Sequence, residues 1–431
     1  LLAAAASGGD TDPVTRSLRF NATDDLYKAT GSTNTTWTVS MWVKRSKLSS
    51  LQYFFSWGGD GINFDANDKI SIWNGSSYAT STAVFRDVSS WYHLTISCNS
   101  GTITVYVNGV SQTMSSSPSY PAWGNVYFGR WSGNSYYKFD GYLADIYGIE
   151  GSALDHTSFT ESNGYGGLKP KEYTGSFGTN GFHLKFDDSS DIGADSTSNS
   201  NDFTATNLSS HDVMLDVPTK NYATLNPLDK GSSTLLLEGN CGISQNTNSW
   251  VHHARSTFSV SSGKWYWECT DNNGWGGSFW KTGIAPSGGT IASALSGAYT
   301  YYAYNGSGAS SGSGWSSGDI IGIALDLDNG TCDIYKNNSS MGTLVASGLS
   351  GEYSPYHDSY NGQTIYNFGQ DPTFAGGKTS GQDTSQSEFY YAPPTGFKSL
   401  NTSNLDDPTV TPSEHFNTVL WTGSGSQDND I

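Results

Sequence analysis

Apolar residues in this chain recur at every second position in short runs, and helical spacing is nearly absent. From Thr38 to Lys44, Val39, Met41 and Val43 share one face. Leu94, Ile96 and Cys98 do the same after Trp91. Ile103, Val105 and Val107 follow, and Asn108-Gly109 then supplies a hairpin turn. The stretch Phe139 to Tyr147 closes this group. Together these runs predict a β-sandwich over residues 14–160. Residues 161–220 are rich in Gly, Ser and Asp, with one clear strand, Phe182 to Phe186, and an acidic loop. They read as a connector that adds a strand to a neighbouring sheet.

Alternation returns at 221. Trp265, Trp267 and Cys269 alternate with Tyr266 and Glu268, and Ile321, Ile323, Leu325 and Leu327 form another inward face. Asp328-Asn329-Gly330 turns the chain, Thr331 to Tyr335 returns antiparallel, and Ile365 to Phe368 gives a late strand. A second sandwich is expected over 221–400, with Trp265, Trp267, Ile323 and Leu325 in one core. Residues 401–431 read as a Pro/Asp-rich linker and then the start of a further β domain, at His415 to Thr422.

Composition agrees with an all-β chain. Of 431 residues, 51 are Gly, and aromatic and charged residues each make up 14%. Disordered chains are aromatic-poor and highly charged, so a folded, turn-rich protein is expected. The net charge of −18 makes a nucleic-acid partner unfavourable. No stretch approaches the roughly 20 apolar residues of a membrane span. Leu1 to Ala6 has no basic flank and makes a poor signal peptide; small and apolar, residues 1–13 read as a docking tail, with a disordered end as the other reading. Cys98, Cys241, Cys269 and Cys332 match no zinc spacing and read as reduced core residues, with a Cys269–Cys332 disulfide as the alternative.

Several stretches resemble known families. Ser17-Leu18-Arg19-Phe20, Trp91-Tyr92-His93, Val105 to Gly109 and Phe139 to Tyr147 together resemble the laminin-G/concanavalin-like family. Gly263 to Glu268, Thr282 to Ala285, Gly318 to Gly322, Asp326 to Asn338 and Asn367 to Gln370 resemble an SPRY domain, also a concanavalin-like sandwich. The fold implied is a pair of tandem concanavalin-like jelly-roll β-sandwiches. Tyr173 to Phe182, Asn221 to Asp229 and Pro393 to Lys398 resemble large virion proteins of marine tailed phages. That resemblance implies a tail-fibre or capsid-appendage protein. It would be assembled in the bacterial cytoplasm as a homo-oligomer, a trimer by fibre analogy, with other virion proteins and a host-surface glycan or protein as partners.

Glycan recognition uses exposed aromatic faces with amides beside them. The candidates are Trp123, Trp131, Tyr136 and Tyr137 in the first unit and Trp275, Trp280 and Trp315 in the second. In the run Tyr299, Tyr301, Tyr302, Tyr304, alternation sends at least half into the core. Calcium takes six to eight oxygen ligands. Asp187, Asp188, Asp195, Asn199 and Asn201 are candidate ligands, and a solvated polar loop is the other reading. His252-His253 is a weaker metal candidate, expected at the surface. A retaining glycosidase needs two carboxylates about 5–5.5 Å apart, but Glu268 and Asp271 fall on opposite faces of their strand. No catalysis is therefore expected, and Glu268 reads as structural. The function expected is virion display of lectin-like domains for host attachment. The rivals are a connecting or capsid-decorating protein without receptor activity, a glycan depolymerase and a secreted bacterial adhesin.

Overall fold

The computed structural model describes residues 13–117, 120, 122–134, 136–245, 252–271, 280–288, 297–302, 314–360, 362–379 and 388–406. The docking tail up to residue 12 and the further β domain expected at His415 to Thr422 lie outside the described residues.

The alternating runs pair as their spacing predicts. Val39 lies opposite Ile96 and Met41 opposite Leu94, while Leu94 and Ile96 in turn face Val107 and Val105. The resulting sheet runs Val110–Ser111, Thr102–Val107, Tyr92–Asn99, Trp37–Arg45, Asp140–Glu150, Ser17–Asn21, Val213–Met214, and Phe182–Leu184 also pairs with Asp140–Glu150. A second sheet runs Thr204–Thr206, Asp25–Lys28, Val126–Phe128, Gln52–Trp57, Asp60–Phe64, Ile70–Trp73, Tyr78–Thr80. Val39, Met41, Val43, Leu94 and Ile96 of the first meet Phe54, Phe55, Trp57, Ile62 and Phe64 of the second in one core.

Residues 161–220 are more than a connector with one added strand. Phe182–Leu184 and Val213–Met214 join the first sheet and Thr204–Thr206 the second. Phe182, Leu184, Phe186, Ile192 and Phe203 are buried in the first core. The first sandwich therefore reaches past residue 160 to about 214. These added strands have only two or three residues each, too few to show an alternating pattern.

The second sandwich pairs a sheet of Leu225–Lys230, His252–Ser256, Tyr353–Ser359, Trp280–Pro286, Tyr299–Tyr302 with one of Thr234–Leu237, Gly242–Gln245, Thr364–Asn367, Lys264–Asp271, Ile320–Asp326, Thr331–Lys336, Ser339–Val345. Trp265, Trp267, Ile323 and Leu325 share its core, as expected. The opposite face of Lys264–Asp271 is covered by the chain from 388 to 400. There Phe389 meets Tyr266 edge-on at 4.9 Å. Lys398–Ser399 pairs in parallel with Trp265 and Tyr266. The architecture is all-β: among the described residues the only helical pieces are 3-10 turns of three residues, and none could cross a membrane.

All four cysteines are free and buried, so the Cys269–Cys332 disulfide is not formed. Burial pushes the Cys98 and Cys241 thiols up to about 11. His252 and His253 are not at the surface: they are 0% and 1% exposed in a central strand. His253 Nδ1 lies 3.0 Å from Asp358, which Lys281 also holds at 3.1 Å.

The two sandwiches meet through the outer face of the first sheet. Leu18 and Phe20 point inward, so Arg19 points out. It is 1% exposed and contacts Asp371 at 3.0 Å, Asp212 at 3.4 Å and Glu238 at 3.8 Å. Burial alone would lower its pKa, but these carboxylates outweigh burial and raise it. Lys44 donates to Asp216 at 2.7 Å, Asn221 at 2.7 Å and the Tyr222 carbonyl at 2.9 Å. Tyr142 donates to the Gly239 carbonyl at 2.8 Å.

Candidate functional site

The exposed aromatic residues of the first sandwich gather on the outer face of its second sheet. The strand Gln52–Trp57 makes this possible through an irregularity. Tyr53 pairs with Asn63 but Phe55 with Ile62, so the register slips by one residue between them. Phe54 and Phe55 both enter the core while Tyr53 takes the outer face. Its ring covers Gly61, where a Cβ would stand 2.8 Å from it. Only glycine admits this approach.

On this base the loop from 130 to 138 lays further rings. Trp131 stacks on Tyr53 at 6.0 Å and 29° and donates its indole N–H to the Gly59 carbonyl at 3.1 Å. The Tyr137 ring stands 6.4 Å from Tyr53, and Tyr136 stands 6.5 Å from Tyr137. Tyr137 has φ +60, a left-handed conformation unusual for a tyrosine, and its carbonyl accepts from the Tyr53 N–H at 2.8 Å. Asn134 accepts from the Tyr136 N–H at 2.8 Å. On the other side the Tyr53 hydroxyl meets that of Tyr78 at 3.2 Å, and Tyr78 packs on Trp73 at 4.7 Å. Tyr136, Tyr137 and Tyr78 are 69%, 51% and 44% exposed. Burial raises the pKa of the Tyr53 hydroxyl, so it stays a neutral phenol. The result is a continuous aromatic platform with tyrosine hydroxyls at its rim.

Of the aromatic candidates, Trp131, Tyr136 and Tyr137 come together here. Trp123 does not: it is 0% exposed, fills the first core and stacks on Trp37 at 6.0 Å. Trp315 is buried in the second core, 6.2 Å from Tyr301. Trp275, Tyr304 and the side chains of Trp280 and Tyr302 lie outside the described residues. Tyr301 is buried, while Tyr299 is 39% exposed. Tyr53, Trp73 and Tyr78 were not among the candidates. Trp73 and Tyr78 form a cross-strand pair around the turn that begins Asn74-Gly75, a signal present in the sequence. The slip that exposes the Tyr53 face has no such signal.

The calcium candidates are turned largely to the loop's own backbone. Asp195 accepts from the N–H groups of His183, Thr197 and Asn201 and from the Thr197 hydroxyl. Asp188 accepts from the Ser190 N–H and hydroxyl. Asn199 and Asn201 turn their amide nitrogens to the carbonyls of Gly178, Thr179 and Gly181. Asp187 is exposed, and Asp202 accepts from the Asp195 N–H at 2.9 Å. Among the described residues no group of three His, Cys, Asp or Glu is placed to hold a metal. The carboxylates close the loop on its own backbone donors.

Glu268 is fully buried under the strap of residues 388–400. Its carboxylate accepts from the Tyr390 and Tyr391 N–H groups at 2.8 and 2.9 Å, and burial pushes its pKa up to about 7.

Residues 21–153 match the family model described as the concanavalin A-like lectin/glucanases superfamily. The first sandwich has the concanavalin A-like fold. The match spans the whole platform, from Tyr53 to Tyr137. A search of curated proteins finds no match. Among solved structures, the chain is similar to the SPRY domain of human HERC1, at 18% identity over 33% of this chain and 96% of that one, with a TM-score of 0.28. It is similar to a native heptameric SAP-like pentraxin from Limulus polyphemus, at 18% identity over 34% and 80%, with a TM-score of 0.27. A third is the TRIM65 PSpry domain, at 13% identity over 34% and 90%, with a TM-score of 0.26.

Proposed function

We propose that the chain is a virion structural protein of a tailed phage, a tail fibre or capsid appendage, that binds a host-surface glycan through the aromatic platform of its first sandwich. The observation that carries the binding reading is the platform itself. Tyr136, Tyr137, Tyr78, Trp73 and Trp131 lie side by side on a domain that matches a lectin and glucanase model. Sugar rings stack their C–H faces on such surfaces, and the rim hydroxyls can hydrogen-bond sugar hydroxyls. The virion reading rests on the resemblance of Tyr173 to Phe182, Asn221 to Asp229 and Pro393 to Lys398 to phage appendage proteins. A closed homo-oligomer, a trimer, would multiply a weak contact through several copies.

The protein is proposed to bind without catalysis. The raised carboxyl of Glu268 could serve as a general acid in another setting, but here it is sealed under the chain from 388 to 400 and tied to backbone donors. A connecting protein without receptor activity is the second reading, favoured by the buried ionic junction that locks the sandwiches together.

The test is retention of the protein on purified host-surface polysaccharide, with Tyr136→Ala and Tyr78→Ala as variants. Each should weaken retention by about tenfold while leaving the melting temperature unchanged. Equal retention of both variants and the native protein would remove the platform from the reading. Release of new reducing ends from the polysaccharide would show an enzyme instead.

A further inference from the structure

A second recess lies where the two sandwiches meet, away from the platform. It is a cleft of about 330 Å³. That is the lower end of the roughly 300–1,000 Å³ range of small-molecule sites. Its walls come from separate stretches of chain. Trp42 stands on the outer face of the first sheet, and Ser90 and Trp91 precede the strand Tyr92–Asn99. Asn108 tips a hairpin, Lys169 lies in the strand Leu168–Pro170, and Thr219 leads into the second sandwich.

The chemistry of this lining is specific. Two indoles flank amides and hydroxyls, and no carboxylate is among the described lining residues, in a chain of net charge −18. Trp91 is fixed by its indole N–H, which donates to Asp216 at 3.1 Å. The indole N–H of Trp42 has no acceptor, although Trp42 is only 4% exposed. That nitrogen is itself sealed from the cleft, so Trp42 offers a ligand only the edge of its ring. Asn108 accepts from the His93 N–H at 2.8 Å through Oδ1, which leaves its amide N–H groups for a ligand. Lys169, the one charged residue among the described lining residues, is held by Glu161 at 3.0 Å. One shared ammonium is too little for a phosphate, which recruits several cationic or backbone donors.

We propose that this junction cleft binds a single sugar residue, neutral or acidic, with its hydroxyls on the surrounding amides and hydroxyls and its ring against the exposed edges of the two indoles. The site is independent of the platform reading. Because its walls belong to both sandwiches, a sugar bound there also clasps them together.

The experiment uses the full chain and four free sugars: glucose, galactose, N-acetylglucosamine and glucuronate. Binding is read by saturation-transfer NMR, and the clasp by the melting temperature. Ser90→Trp and Thr219→Trp each fill the cleft, while Tyr136→Ala alters only the platform. At least one sugar should give transfer and a raised melting temperature in the native protein and in Tyr136→Ala. Transfer should fall about tenfold or more in a folded cleft-filling variant made in the Tyr136→Ala background. The proposal is overturned if no sugar gives transfer up to tens of millimolar, if transfer survives filling in that background, or if it is lost in Tyr136→Ala alone. If both filled variants fail to fold, a sugar-dependent rise in melting temperature that Tyr136→Ala retains supports the cleft, and its absence there overturns it.

Discussion

Tyr137 combines two properties that pull in opposite directions. Its ring extends the platform, yet its backbone sits at φ +60, where a side chain costs about 1–2 kcal/mol. Natural sequences keep such strain where function repays it. Tyr137→Gly should therefore separate the two. Glycine adopts this φ readily, so stability should hold or rise by up to about 1 kcal/mol, while retention on glycan falls. Chemical denaturation and a binding assay on one preparation check both arms. A clear loss of stability would mean that the ring supports the fold rather than the surface. Arg19 is the other decisive residue. With Asp371 and Asp212 buried around it, Arg19→Ala leaves carboxylates without their counter-charge and should cost about 3–5 kcal/mol. The deficit should persist in high salt, because buried pairs are poorly screened. A cost below about 1 kcal/mol, as for a surface pair, would contradict the burial.

Strands carried most of what the sequence could reveal. The inward faces Val39-Met41-Val43 and Trp265-Trp267 were legible because each side chain sits on a regular pleat. Tyr53 was not, because a one-residue slip puts Phe54 and Phe55 on the same side, which strict alternation forbids. Arg19 sat inside a family-like motif with nothing to mark its outward partners, which lie near residues 212, 238 and 371. Three of the candidate aromatics proved to share a surface. Trp123 and Trp315 did not, because a large ring fills a core as readily as it caps a surface. The acidic loop left two readings open for a related reason. A row of Asp and Asn reads alike whether its oxygens face a cation or the chain's own N–H groups. Since Asp195 already accepts four hydrogen bonds, a chelator should leave the melting temperature unchanged and added calcium should not raise it. A calcium-dependent rise would restore the cation reading.

The whole molecule carries two opposed sets of buried titrating groups. Burial holds His93 and His357 down at about 3. Unfolded, each takes a proton near pH 6.5, so stability from these two falls as pH drops from about 6.5 to 3. Burial pushes Glu268 and Asp140 up to about 7 and Asp60 up to about 6. Folded, these keep protons that the unfolded chain releases near pH 4, so their contribution is present at low pH and lost as pH rises through 6 to 7. Between about pH 4.5 and 6.5 the carboxyls offset the histidines, two protons against two above pH 6 and three against two below it. Below about 4 the histidines act without that offset, at about 1.4 kcal/mol per pH unit for each proton. Asp358, held low by His253 and Lys281 against its burial, adds to the loss. Melting temperature should therefore hold or rise slightly from pH 6.5 to 4.5 and drop steeply below 4. A steady decline across the upper window would show that the carboxyls do not offset the histidines.

The late strands that complete the first sandwich also set when it can form in a growing polypeptide. The stretch matching the concanavalin-like model ends at 153, but Phe182, Phe203 and the strand Thr204–Thr206 arrive later. At about 5–20 residues per second, the roughly fifty residues still to be made take some 3–10 s. For the first part of that interval Trp123 and Phe128 lack the Phe182 ring that covers both, and for nearly all of it Phe128 lacks Phe203. A nascent chain would thus expose an aromatic seam until its own continuation arrives to close it, a window in which a ribosome-associated chaperone has something to hold.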